Sequence, residues 1–230
     1  MKIGILSKRT HKFTGKIKDF FEQEGHNVEI FTANNLCINK SLLENDFYIL
    51  KSKKLFYFYA AYFLEANNIP VIPDPNNAFK QKHRIGAQIL IKKAGLLAPE
   101  FFMGSIETLK KKLNKSNYPL IVKPIMGGSG SRGIKVIKSY KDLNFAKKEI
   151  IYAERFIKGI HYIVYFIGDE ICALEKLPLK NEHSEMNLIT LSDDLKVTII
   201  KWQKKYDLLF GHLDIVREEI TNKLYIVDPG

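Results

Sequence analysis

The apolar residues in the first third of the chain recur with two different periods. Four short apolar runs predict buried strands, at residues 2–7, 26–32, 47–50 and 69–72. Helical spacing of apolar residues predicts two helices between them, at residues 14–24 and 55–66. Strands that alternate with helices indicate a parallel sheet with helices on its faces. The polar turn at residues 74–77 ends this pattern, so residues 1–75 are predicted to form an N-terminal α/β domain.

Beyond this boundary, hairpins replace the alternation of strands and helices. One continuous helix is predicted at residues 77–93, because Gly95 and Pro99 end the helical pattern. Alternating apolar residues on both sides of Gly168 and Asp169 predict an antiparallel hairpin. The other predicted elements are a strand at residues 100–103, helical segments at 106–113, 139–148 and after Ser192, and final strands at 214–217 and 224–227.

The segment I-I-Y-A-E-R-F-I, residues 150–157, reads as a connector between two lobes. We therefore predict further domains at residues 76–153 and 154–230. The predicted fold class is α/β, with an N-terminal parallel α/β subdomain followed by two α+β lobes.

Residues 118–137, Y-P-L-I-V-K-P-I-M-G-G-S-G-S-R-G-I-K-V-I, contain a dense glycine cluster. Gly128, Gly130 and Gly133 satisfy G-x-G-x-x-G, but a dinucleotide-binding turn opens a helix, and I-K-V-I alternates as a strand does. The stretch therefore indicates a β-hairpin flap. Its backbone N–H groups, unhindered at Gly127, Gly128 and Gly130, could close over phosphates. An ordinary glycine-rich turn is the alternative.

The chain has 230 residues and a formal net charge of +11, which suits an anionic partner. Its lysines are spread along the sequence without a basic tail or an aromatic-interleaved stripe. Most of them are therefore expected on the solvated surface, and nucleic acid is disfavoured as a partner. An anionic substrate is the ligand that the remaining charge excess favours.

No membrane segment is expected. The longest apolar run, Leu55 to Leu64, is too short to span a bilayer and indicates either a buried helix or a homodimer interface. The start, M-K-I-G-I-L-S, lacks the pattern of a secretory signal and reads as a strand. Cys37 and Cys172 lie far apart without metal-ligand spacing, so both are expected to be free thiols in a cytoplasmic protein.

Three sequence features in a fixed order resemble the ATP-grasp enzymes over most of the chain. They are K-P before the glycine flap, E-R-F-I before the hairpin I-H-Y-I-V-Y-F-I-G-D, and F-G-H-L-D before Y-I-V-D-P-G. The aspartates of the last two motifs, Asp214 and Asp228, are fourteen residues apart. The resemblance implies two lobes that clasp ATP. In that arrangement the connector grips the adenine, the flap covers the phosphates, and Mg²⁺ binds carboxylates of the last strands.

The resemblance also implies roles for individual residues. Lys123 and Lys82 match the two nucleotide lysines, and His161 falls where many members place an acidic residue on the ribose. Lys176 matches a basic residue that reaches the phosphates or the reacting carboxylate, and His212 stands where peptide-forming members often have an oxyanion-binding arginine. The remaining cofactor-binding candidates are Gly127, Gly128, Ser129 and Gly130 of the flap and Glu154, Arg155, Phe156 and Ile157 of the connector. Purely structural alternatives stay open for four of these residues. They are a strand end for Lys123, the surface for Lys82, a structural histidine for His161 and the core for Phe156.

Asp214 and Asp228 are the candidate metal ligands. Each lies among apolar strand residues, L-D-I-V and I-V-D-P. Burying a carboxylate there destabilises the fold unless a cation neutralises its charge. Mg²⁺ is the natural partner because it takes hard oxygen ligands and bridges ATP phosphates. The sequence departs from the family at Gly230, where an asparagine usually follows, and at Ile163, where some members have a phosphate-binding basic residue. The missing asparagine would weaken metal binding or mark a non-catalytic relative.

The resemblance implies an ATP-dependent carboxylate–amine ligase that acts through an acylphosphate intermediate with Mg–ATP. Two alternatives stay open at this point. One is a small-molecule kinase of the inositol-polyphosphate type, which shares the fold and the spacing of the two aspartates. The other is a non-catalytic ATP-binding relative.

Overall fold

The computed structural model describes residues 1–126, 133–145, 149–176 and 186–230. The chain forms two compact units, Met1–Phe79 and Lys80–Gly230. The predicted boundaries after residues 75 and 153 stay predictions. Within the described residues, no helix combines the length and the apolar character needed to cross a membrane.

The first unit is built on a parallel sheet. Its elements are β1 (Lys2–Leu6), α1 (Lys12–Gln23), β2 (Asn27–Phe31), a 3₁₀ helix (Lys40–Glu44), β3 (Phe47–Leu50), α2 (Leu55–Ala66) and β4 (Val71–Ile72). The strands lie in the order β2-β1-β3-β4 and all pair in parallel, which confirms the predicted sheet. Ile3, Ile5 and Tyr48 are fully buried. This agrees with the continuous apolar runs in the sequence, which are typical of parallel strands covered on both faces.

Helix α2 contributes five apolar or aromatic residues to the core of this unit. Its buried residues are Tyr57, Phe58, Ala60, Ala61 and Leu64. Leu55, Phe56 and Tyr59 remain exposed. The buried-helix interpretation is therefore confirmed, and the homodimer stays a prediction.

The second unit contains two antiparallel sheets, and the first of them carries the strands that flank the glycine stretch. Its elements are α3 (Pro75–Lys82), which spans the division between the units, α4 (Arg84–Lys93), β5 (Phe101–Ser105), α5 (Ile106–Lys112), β6 (Leu120–Lys123), β7 (Lys135–Ile137) and β8 (Ile150–Arg155). The strand order is β5-β8-β6-β7. Strands β6 and β7 pair in antiparallel fashion, as the hairpin prediction requires.

The predicted continuous helix at residues 77–93 is wrong, because the chain breaks at His83. His83 has extended backbone angles (φ −104°, ψ 140°), and its side chain accepts a hydrogen bond from Gly86 N–H at the start of α4. It forms a β-bridge with Met126, and the next N–H, of Arg84, donates to the Ile125 carbonyl at 3.1 Å. Contacts with residues some forty positions away therefore override the local helical pattern.

The helix predicted at residues 139–148 is shorter than expected in the part that the structure describes. One turn of 3₁₀ helix spans Tyr140–Asp142, and Asp142 accepts hydrogen bonds from the N–H groups of Lys138 and Ser139. These side-chain contacts stabilise a turn instead of a longer helix.

The second sheet holds the C-terminal half of the unit. Its elements are β9 (Gly159–Ile167), β10 (Glu170–Lys176), β11 (Asn187–Ile189), α6 (Asp193–Tyr206), β12 (Phe210–Glu218) and β13 (Leu224–Pro229). The strand order is β11-β10-β9-β12-β13. One face packs on α6 through a core that includes Val164, Phe166, Trp202, Leu213 and Ile215. The alternate residues of the same strands therefore lie on the opposite face.

Candidate functional site

Asp214 and Asp228 face each other across the last two strands. They are direct partners in the antiparallel pairing of β12 with β13, so both side chains lie on the face opposite the core. The register then shifts, because Ile215 pairs with Ile226 and Val227 is left over as a β-bulge. The bulge allows Ile226 to enter the core while Asp228 stays beside Asp214.

Each of these carboxylates is bonded to a basic side chain. Lys176 Nζ lies 2.7 Å from Asp214 Oδ1, and Arg84 Nη1 lies 2.7 Å from Asp228 Oδ1. The Arg84 side chain is only 9% exposed, and its Nε also donates to the Pro124 carbonyl at 3.3 Å. The two cations neutralise the charge of the opposed carboxylates.

Two opposed carboxylates form part of a ligand set for a hard divalent cation. Mg²⁺ takes oxygen ligands and commonly completes its shell with water and phosphate oxygens. In the described part of the chain, no group of three or more His, Cys, Asp or Glu side chains forms a candidate metal site. Asp214 and Asp228 therefore fit a magnesium ion that a nucleotide helps to coordinate, and they do not supply the closed shell of a structural metal.

A buried ion pair lies next to the bulge. Lys123, the last residue of β6, pairs with Glu154 of β8, and the two side chains are only 7% and 3% exposed. Lys123 Nζ also donates to the carbonyl of the bulge residue Val227 at 3.0 Å. The Tyr152 hydroxyl donates to Glu154 at 2.8 Å and accepts from Gln88 Nε2 at 2.9 Å. Burial, and then the Glu154 carboxylate, raises the pKa of Tyr152, so this hydroxyl stays protonated.

His161 lies on β9 directly opposite Lys176 of β10. Its Nε2 is buried and has no hydrogen-bond partner among the described residues. Burial, reinforced by the charge of Lys176, lowers the pKa of His161 to about 4, with Lys123 adding to the shift and Asp214 opposing it. His161 is therefore a neutral imidazole at pH 7, able to hydrogen-bond to a ligand hydroxyl.

The lowered pKa of His161 predicts an acid-sensitive stability. Because its pKa is about 4 in the folded chain and 6.5 ordinarily, the unfolded chain binds this proton more tightly. The stabilising effect of the neutral ring is present above about pH 6.5 and is lost as the pH falls toward 4. We expect His161→Gln to flatten this decline in urea-unfolding measurements. Parallel pH profiles for the variant and the wild type would contradict this account.

The predicted connector, residues 154–157, links the two sheets of this unit. Arg155 forms an ion pair with Glu218 of β12 at 2.9 Å. Phe156 is half-buried and Ile157 is buried. Ile157 is therefore a core residue. A core role for Phe156 and adenine binding by the connector both stay predictions.

Comparison with known proteins agrees with this geometry. Residues 87–184 match the sequence model of the ATP-grasp domain family. The whole chain also superposes on a RimK domain protein of the ATP-grasp type from Sphaerobacter thermophilus, with a TM-score of 0.81 at 11% identity, over 100% of this chain and 90% of that one. The family match therefore covers residues 87–184, and the similarity of fold extends over the whole chain.

Other ATP-grasp structures share the fold. D-alanine–D-alanine ligase from Bacillus anthracis gives a TM-score of 0.73 at 15% identity, over 100% of this chain and 86% of that one. The ATP-grasp ligase PsnB, complexed with a minimal precursor, Mg and ADP, gives 0.72 at 14% identity, over 99% and 88%. No curated protein sequence matches the chain. The predicted fold class and family resemblance are confirmed.

The second unit brings most of the predicted polar site residues together on its C-terminal sheet and the adjoining strand ends. They are Lys123, Glu154, His161, Lys176, His212, Asp214 and Asp228. Their roles toward nucleotide and metal stay predictions.

Arg84 is the residue of the candidate site that sequence reasoning missed. It is the first residue of α4, and its side chain reaches Asp228 across the site. Lys82, the predicted nucleotide lysine, is instead the last residue of α3, on the other side of the break at His83. A helix drawn continuously through His83 gives no reason to single out Arg84, so only the break and its long-range contacts reveal it.

The structure gives a steric reason for glycine at position 230. The N–H of His212 donates to the Gly230 carbonyl at 2.6 Å, and the N–H of Gly230 donates back at 2.9 Å. A Cβ at position 230 would meet the imidazole ring of His212. A side chain at this position and the His212 ring would therefore compete for the same space.

The four flap candidates, Gly127, Gly128, Ser129 and Gly130, lie outside the described residues.

Proposed function

We propose that this chain is an ATP-dependent carboxylate–amine ligase that activates a carboxylate as an acylphosphate with Mg–ATP. The observation that supports this is the opposition of Asp214 and Asp228 on one face of the sheet, with Lys176 and Arg84 bonded to them. Opposed carboxylates suit a metal, and neighbouring cations suit the phosphates that the metal would bridge.

The chain's own residues would bind and orient the reactants. Asp214 and Asp228 would hold Mg²⁺, and when bound, Mg–ATP would supply the phosphoryl group and neutralise its charge. Lys176 and Arg84 would exchange their carboxylate partners for phosphate oxygens. Lys123 would likewise leave Glu154 and bind a phosphate oxygen. These roles need positioning and charge stabilisation, and no side-chain nucleophile.

Two histidines would complete the site. The neutral ring of His161, with its unpartnered Nε2, is suited to a ribose hydroxyl. His212 lies two residues before Asp214 on the same strand, and alternation places its side chain on the same face. We assign it to the oxyanion that develops when an amine attacks the activated carboxylate.

Some similar structures contain the implied ligands. PsnB is seen with Mg and ADP, and the D-alanine–D-alanine ligase is also seen with ATP. The inositol-polyphosphate kinase alternative would use the same nucleotide site, and the net charge of +11 is the observation that favours it.

Product analysis tests the proposal. The purified protein is incubated with Mg–ATP and pools of amino acids, short peptides or inositol phosphates, and ADP release and product masses are measured. ADP with a new amide is the expected result. A new phosphate ester would identify a kinase instead. ATP binding by calorimetry without ADP release from any pool would indicate a non-catalytic relative.

A further inference from the structure

The face of the sheet opposite the core carries three neighbouring rows of side chains. Pairing across the strands defines them, since directly opposed residues share a face. The basic row is Lys176, His161, Val216 and Tyr225; the carboxylate row is Leu188, Leu174, Ile163, Asp214 and Asp228; and the aromatic row is Cys172, Tyr165, His212 and Gly230. The two carboxylates therefore lie between a cationic edge and an aromatic edge.

The two edges differ in charge. Lys176 lies on the basic row, and Lys123 is close enough to His161 to influence its proton affinity. The aromatic row contains no Lys, Arg, Asp or Glu. The row beyond it consists of Phe210, Ile167 and Glu170, so its only charged side chain is an anion. Phosphate groups are therefore expected to bind on the side of the basic row. The aromatic row and the row beyond it contain no lysine or arginine that could pair with an anion.

The aromatic side is open and apolar. The Tyr165 ring lies 5.4 Å from the His212 ring, and Tyr165 is 38% exposed. Beside it, Ile167 is 71% exposed, although the other face of the same strand is packed in the core. Because position 230 has no side chain, the His212 ring lies over the backbone there. These two rings, tilted by 40° relative to each other, present an aromatic surface that can contact an apolar ligand group.

We infer that the aromatic row is the subsite for the second substrate, and that it takes a carboxylic acid with an uncharged, apolar body. This rests on the proposed function, because the substrate carboxylate must reach the phosphoryl group held at Asp214 and Asp228. Tyr165 is the specificity-determining residue, since it is the exposed large aromatic side chain of the row. An inositol polyphosphate does not fit here, because it would need cations on this side.

Cys172 provides a direct reporter of this subsite. It is exposed and lies directly opposite Tyr165, and the other cysteine of the chain, Cys37, is also exposed. In a Cys37→Ser background only Cys172 reacts with a thiol reagent such as DTNB. Its labelling rate is measured with Mg–ATP and one of three probes: N-acetylphenylalanine, N-acetylglutamate or inositol hexakisphosphate.

The apolar probe is expected to slow Cys172 labelling at least about fivefold at saturation, while the two more anionic probes leave the rate unchanged. Tyr165→Ala should raise the half-saturating concentration of N-acetylphenylalanine about tenfold, and Tyr165→Phe should preserve it, because the ring provides the contact. The affinity for ATP should stay the same in both variants.

Protection by inositol hexakisphosphate or N-acetylglutamate alone, or by none of the three probes, would overturn the inference. ATP binding is measured separately by calorimetry. A protein that binds no ATP would refute the proposed function, whereas a protein that binds ATP without selective protection of Cys172 would refute only the subsite.

Discussion

Replacing Glu154 with glutamine is expected to lower the free energy of unfolding by about 3–5 kcal/mol, because it leaves the ammonium group of Lys123 buried without its counter-charge. Both side chains lie almost entirely out of water. The Val227 carbonyl, 3.0 Å from Lys123 Nζ, would remain as a partner but carries no full charge. Urea unfolding of wild type and variant, followed by circular dichroism, measures the difference.

The double variant Lys123→Met with Glu154→Gln is the matched control. It removes both charges, so it should be more stable than Glu154→Gln alone. The exposed pair of Lys111 and Glu107 provides a second control, in which Glu107→Gln should change stability little. Equal unfolding free energies of Glu154→Gln and Glu107→Gln would contradict the prediction. So would a double variant that is less stable than Glu154→Gln alone.

The pattern of strands and helices was predictable, because the spacing of apolar residues in the sequence reflects which face of each element is buried. Strand β1 and helix α2 were expected from local sequence alone, and the hairpin at Gly168 from its turn residues. In contrast, the break at His83 involves no proline, and it depends on pairing with Met126, far away in sequence. Local propensity could not reveal it, and Arg84 was missed for the same reason.

The bulge at Val227 was also hidden from the sequence. The run I-V-D reads as regular alternation, which would place Ile226 and Asp228 on the same face. The extra residue separates them, so that one enters the core and the other reaches the site.

Glu154 did carry a signal. It sits in a strand whose neighbours Ile151, Tyr152 and Ala153 are apolar or aromatic and buried. A carboxylate in such a strand requires a cationic or hydrogen-bonding partner. Lys123 and Tyr152 satisfy that requirement, and a role of Glu154 toward adenine stays a prediction.

Asp214→Asn and Asp228→Asn are each expected to reduce ATP turnover at least about a hundredfold, since each removes one carboxylate from the proposed magnesium site. The free protein should remain folded in both variants. Asp228 is 41% exposed, and its bond to Arg84 can pass to the asparagine oxygen. The informative measurement is therefore ATP affinity by calorimetry with and without Mg²⁺. The wild type should gain affinity on adding the metal, and each variant should lose that gain.

The same substitution at Asp169 is the control for these variants. Asp169 lies in the exposed turn between β9 and β10 of the same sheet, so Asp169→Asn should leave both turnover and the effect of Mg²⁺ unchanged. The two site variants should also differ from each other, because Asp214→Asn removes the counter-charge of Lys176 while Asp228→Asn removes that of the more deeply buried Arg84. Asp228→Asn should therefore lose more stability in the metal-free protein. Turnover and Mg²⁺ dependence equal to wild type in either site variant would show that the metal lies elsewhere.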